Sequence, residues 1–103
     1  MFDNLFGNIQ QQQEELQREL AQIFVEAEAG DGAVVVRAGA DMHIENLRID
    51  REKADLSDPE QLEDLILVAL NRALEQARQR AAEETQKRLK GMLPGGFDQF
   101  LKP

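Results

Sequence analysis

Residues 23–38 run Ile23-Phe24-Val25-Glu26-Ala27-Glu28-Ala29-Gly30-Asp31-Gly32-Ala33-Val34-Val35-Val36-Arg37-Ala38. Ile23, Val25, Ala27 and Ala29 alternate with Phe24, Glu26 and Glu28, the period of a strand with one buried face. Gly30-Asp31-Gly32 supplies residues that tolerate positive φ, as a tight hairpin requires. The β-branched run that follows, Ala33 to Ala38, predicts a second strand. Gly39-Ala40-Asp41 signals the next turn, and a third strand is expected from Met42 to Asp50. Leu47 and Ile49 share one parity there while Met42 and Ile44 share the other, which predicts a bulge or bend near Glu45. A three-stranded meander over 24–50 follows, with two edges that a lone copy must protect.

On either side of the meander the apolar period lengthens. Leu5, Ile9, Leu16, Leu20 and Ile23 recur at three-, four- and seven-residue steps, with Gln12 and Gln13 interrupting the stripe. That predicts an amphipathic helix over about Asp3 to Gln22, packing along one narrow seam, with Asp3 or Asn4 as its cap. Downstream, a charged connector ends in Ser57-Asp58-Pro59-Glu60-Gln61. Either Ser57 with Glu60 or Asp58 with Gln61 fits the capping-box spacing, and Pro59 suits the first helical turn. Leu62, Leu65, Ile66, Ala69, Leu70, Ala73, Leu74 and Ala77 then form a broad apolar face. Ala81, Thr85 and Leu89 continue it as a thin seam, and Gly91 and Pro94 are placed to end the helix near Lys90. The expected fold is α+β in one domain over 1–103: helix over 1–23, three-stranded antiparallel sheet over 24–50, long helix over 58–90, apolar tail over 91–103. The long helix would reach about 45 Å, roughly twice the width of such a sheet. Its distal turns must project past the sheet or pair with another chain, which predicts a dimer with helical arms.

Composition narrows the function. The 103 residues carry 12 Lys plus Arg, 20 Asp plus Glu and a net charge of −8. This balance disfavours a uniformly basic nucleic-acid or membrane-surface binder. The charge is nonetheless polarised: residues 1–71 hold five bases and sixteen acids, whereas 72–103 hold seven bases and four acids. There is no cysteine and one histidine, so disulfide scaffolds, thiol nucleophiles and Cys- or His-rich metal sites are excluded. No apolar run approaches membrane-spanning length and the N-terminus does not resemble a signal peptide, so the cytoplasm is the expected address.

The order of motifs resembles the YbaB/EbfC family of nucleoid-associated proteins along nearly the whole chain. The resemblance is carried by Gly32-Ala33-Val34-Val35-Val36 through Leu47-Arg48-Ile49-Asp50, and by Leu62-Glu63-Asp64-Leu65, Ala69-Leu70-Asn71 and Glu83-Glu84-Thr85-Gln86. The ending Gly91-Met92-Leu93-Pro94-Gly95-Gly96-Phe97 completes it. It implies a tweezer-like homodimer, DNA binding in the bacterial nucleoid and little or no metabolic activity. Two features depart from the family pattern. The first helix has only Arg18 as a base, where many relatives have several lysines, which speaks against phosphate contacts from that helix. The second turn has Ala38-Gly39-Ala40 where an Asn-Gly is common.

The candidate DNA-contacting residues are Arg72, Arg78, Arg80, Lys87, Arg88 and Lys90. At about 100° per residue, Arg72, Arg80, Lys87 and Lys90 fall within roughly an 80° arc opposite the Ala77-Ala81-Thr85-Leu89 seam. Arg88 flanks that arc and Arg78 lies away from it. Flexible cations along a protruding helix suit phosphate contacts without base readout. The competing interpretation is a solvated face, because Glu83 and Glu84 stand four residues before Lys87 and Arg88 and bases complement a helix C-terminus. His43 reads as a surface residue, and Asp58 and Glu60 as helix-start residues rather than a metal or acid–base pair. No catalytic residue, metal, cofactor, membrane or small-molecule substrate is expected. The expected partners are a second copy of the chain and duplex DNA bound with low sequence specificity. The alternative is an acidic dimeric scaffold that docks proteins through Leu93, Phe97 and Phe100.

Overall fold

The computed structural model describes residues 2–92. The tail residues Leu93, Phe97 and Phe100, on which the scaffold alternative depends, lie outside them. The chain folds as α1 (Phe2–Leu20), β1 (Phe24–Ala29), β2 (Val34–Gly39), β3 (Ile44–Ile49) and α2 (Pro59–Met92). The three strands form one antiparallel sheet in the order β1-β2-β3.

The first hairpin turns through three consecutive positive-φ residues, Gly30, Asp31 and Gly32. A side chain at Gly30 would also collide with α2, since a Cβ there would lie 2.9 Å from Leu65 Cδ1. The backbone therefore calls for glycine, and a larger residue would in addition oblige the Leu65 side chain to shift. In the second turn the positive φ falls on Met42 rather than on glycine. Asp41 supports that turn, with its carboxylate 3.2 Å from the His43 N–H and 3.1 Å from the ring Nδ1. The bulge sits at Glu45: Arg37 pairs with Asn46 and Ala38 with Ile44, which leaves Glu45 as the extra residue. It lets Ile44 and Leu47 face the same side despite their opposite parity.

α2 lies across the sheet on a seam of small residues. Ala69, Ala73 and Ala77 are buried against Ala27, Ala29, Val34, Val36 and Ala38, while Leu62, Leu65, Ile66 and Leu70 flank the seam half-buried. Alanines at i, i+4 spacing on one face let the helix approach the strands closely. Val34 and Val36 are the largest fully buried side chains, each contributing about 1.5–3 kcal/mol by burial. The broad face expected from sequence is thus closed along its alanines and half-buried at its flanks, while Leu67 and Val68, turned away from the seam by helical angle, are exposed.

Of the two capping arrangements, the structure has Asp58 as cap, its Oδ1 accepting the Gln61 N–H at 3.1 Å. Ser57 turns back instead, its hydroxyl and N–H both donating to Asp55. Those two bonds, the hydroxyl's first, hold the Asp55 carboxyl below its ordinary range. Asp58→Ala is expected to lower stability by about 1 kcal/mol, read as a fall of roughly 4–8 °C in the thermal midpoint.

Two boundaries differ from expectation. α1 stops at Leu20, and i→i+3 bonds from Gln22 to Glu19 and from Ile23 to Leu20 tighten its exit. Ile23 then uses its carbonyl to accept the Ala40 N–H, which draws it out of the helix. At the other end α2 continues through Gly91 to Met92, so Gly91 lies within the last turn rather than past it. α2 has 34 residues, about 51 Å of helix, and its last fully buried residue against the sheet is Ala77. Residues 78–92 form an overhang of about 22 Å, in a chain measuring 63 × 33 × 17 Å. No helix among the described residues is long and apolar enough to cross a membrane.

Candidate nucleic-acid interface

The overhang carries five of the six candidate cations. The sixth, Arg72, points back to the sheet, where its Nη1 donates to the Glu28 carbonyl at 2.8 Å. That bond satisfies part of the otherwise open β1 edge and ties the helix to it. Arg78 is paired along the helix with Glu75 at 2.7 Å, away from the remaining four.

Arg80 and Lys87 share one carboxylate. Arg80 Nη1 lies 3.3 Å from Glu84 and 3.0 Å from Glu83, and Lys87 Nζ lies 3.4 Å from the same Glu84 oxygen. The shared partner puts the two cations on one helix face, as the arc derived from sequence requires. Lys90 is exposed in the final turn, where a base also complements the helix dipole. Arg88 departs from the helix-internal pattern. It ignores Glu84 and reaches α1, with Nη2 2.5 Å from Glu19 and Nη1 3.7 Å from Glu15. Its side chain is only 23% exposed. The Glu19 hydrogen bond is the main cause that holds the Arg88 guanidinium above its already high ordinary pKa, against a smaller desolvation effect.

The surface is a set of loosely held cations rather than a buried charge network. Exposed ion pairs of this kind contribute about 0–1 kcal/mol each, so a phosphate can displace their carboxylates at small cost. Six bases against three acids between 72 and 92 leave this stretch cationic even with each of its acids paired. The candidates divide accordingly: Arg80, Lys87, Arg88 and Lys90 lie together on the overhang, and Arg72 and Arg78 stand apart. Sequence reasoning did not single out Glu15 and Glu19, because nothing local links them to a base 69 positions downstream of Glu19.

The opposite face of the sheet is polar. Arg37 stacks over Phe24 at 4.4 Å and pairs with Glu45 at 3.2 Å. Among the described residues no three His, Cys, Asp or Glu side chains converge as a metal site.

Over residues 2–92 the chain matches the family model described as the YbaB/EbfC DNA-binding family. It is 40% identical over 89 residues to a nucleoid-associated protein of Chloroflexus aggregans, covering 86% of this chain and 88% of that one. It is 43% identical over 83 residues to one of Myxococcus xanthus, covering 80% and 79%. In fold it is similar to the crystal structure of an uncharacterised Helicobacter pylori protein, with a TM-score of 0.71 at 18% identity, over 85% of this chain and 92% of that one.

Proposed function

Because the chain belongs to the YbaB/EbfC DNA-binding family, we propose that it is a nucleoid-associated homodimer that holds duplex DNA by its phosphates and organises the chromosome, with consequent effects on gene expression. The observation that carries this reading is the overhang of α2, where Arg80, Lys87, Arg88 and Lys90 project beyond the sheet. Lysine and arginine on an exposed rod meet phosphate oxygens without presenting a rigid array to base edges, so sequence preference is weak. The acidic remainder of the chain repels the duplex, which makes binding modest and steeply salt-dependent. The similarity to nucleoid-associated proteins supports a nucleoid location in the cytoplasm.

Dimerisation is supported by the free β3 edge. Ile44 and Leu47 on the helix-covered side of β3 are 40% and 37% exposed, and Leu67 and Val68 of α2 are also open. A second copy would cover such an edge and give the assembly two arms. The test is fluorescence anisotropy with two unrelated duplexes of equal length at 50 and 200 mM salt, with sedimentation of the same sample. The expected result is a dimer that binds both duplexes alike and loses about 10²-fold or more in affinity between the two salts. A monomer, or no binding at 50 mM salt, rejects the reading.

A further inference from the structure

We propose that Glu15 and Glu19 of α1 are a built-in phosphate mimic that competes with DNA for Arg88, so that α1 acts as a brake on DNA binding by the arm. The proposal rests on the reading of the α2 overhang as the DNA-contacting surface. It goes beyond that reading by assigning a regulatory role to a helix with little positive charge of its own.

Three observations carry it. The first is geometric: Glu15 and Glu19 are four residues apart, hence on one face of α1. Together they present carboxylate oxygens to two different guanidinium nitrogens of Arg88. A phosphate group offers a guanidinium the same arrangement, two anionic oxygens set against two N–H groups. The second is electrostatic. Between 72 and 92 bases exceed acids by three, and Glu15 and Glu19 set two negative charges beside that small surplus. The third is mechanical. The ion pairs of Arg78, Arg80 and Lys87 lie within α2 and move with it, whereas the Arg88 pairs join two helices. Elsewhere α1 is held lightly: Leu20 is buried and Leu16 half-buried, but Ile9 and Phe6 are exposed. DNA that captures Arg88 must therefore release the main polar tie between α1 and the arm.

The test is a double-mutant cycle with a random-sequence duplex in about 50 mM salt, using the full chain and its Glu19→Gln, Arg88→Ala and combined variants. Glu19→Gln is expected to tighten binding about threefold to tenfold, the range of one exposed ion pair on each of two arms. In the Arg88→Ala background the same change should alter affinity less than about twofold. Glu14→Gln removes the same charge five positions away on α1, from a side chain that takes part in no ion pair among the described residues; it should match the small effect. An equal gain from Glu19→Gln with and without Arg88, or an equal gain from Glu14→Gln, overturns the brake while leaving DNA binding intact. Failure of the unmutated chain to bind overturns the DNA reading and the brake with it.

Discussion

Simultaneous alanine substitution of Arg80, Lys87, Arg88 and Lys90 is expected to lower duplex-DNA affinity by two to three orders of magnitude at about 100 mM salt. Each phosphate contact contributes about 0.9 to the slope of log affinity against log salt. Losing four contacts on one arm should flatten the slope by about 3.6, and losing them on two arms by about 7. The loss is not one of folding. The four side chains lie beyond Ala77, the last fully buried residue against the sheet, and alanine is the strongest helix former. Their existing partners are surface carboxylates, Glu83 and Glu19 exposed and Glu84 half-buried, so each pair removed costs stability by about 1 kcal/mol. Anisotropy titrations over a salt series, with circular dichroism to verify the fold, measure both quantities. A quadruple variant with unchanged affinity and slope would remove these residues from the interface.

The second large effect concerns the alanine seam. Ala73→Glu should abolish cooperative folding. Ala73 has no exposed surface and lies between Ala69 and Ala77 against the valines of β2. A carboxylate there has no buried partner among the described residues, whose buried side chains are all apolar. An uncompensated buried charge costs several kcal/mol, and the larger side chain adds about 1–3 kcal/mol of overpacking. A domain of this size has only about 5–15 kcal/mol of stability in total. Ala82→Glu, at an exposed position of the same helix, should change stability by less than about 0.5 kcal/mol. Thermal melts of the two variants decide the matter. If Ala73→Glu melts like the unmutated chain, helix and sheet do not close along this seam.

The parts of the fold legible in the sequence were those governed by near neighbours. The Gly30-Asp31-Gly32 turn, the bulge at Glu45 and the Asp58 helix start each depend on residues within a few positions of one another. The overhang of α2 was legible as well, because helix rise and strand length are fixed by backbone geometry. What escaped depends on packing between distant segments. Arg72 lies within the cationic arc by helical angle, yet the approach of α2 to β1 turns it to the Glu28 carbonyl. Arg88 has Glu84 at favourable spacing, yet α1 brings Glu19 closer. The exit of α1 before Ile23 likewise follows from the bond of Ile23 to Ala40 in a later turn. In each case a long-range hydrogen bond or ion pair outweighs a local preference of a few tenths of a kcal/mol.

The central claim is that DNA meets the distal half of α2. Backbone amide shifts recorded while a short duplex is added to the isotope-labelled chain test it most directly. The account predicts the largest changes over residues 78–92 and over 15–19 of α1, with the polar sheet face around Phe24, Arg37 and Arg48 unmoved. Changes centred on that sheet face, with the end of α2 silent, would contradict it.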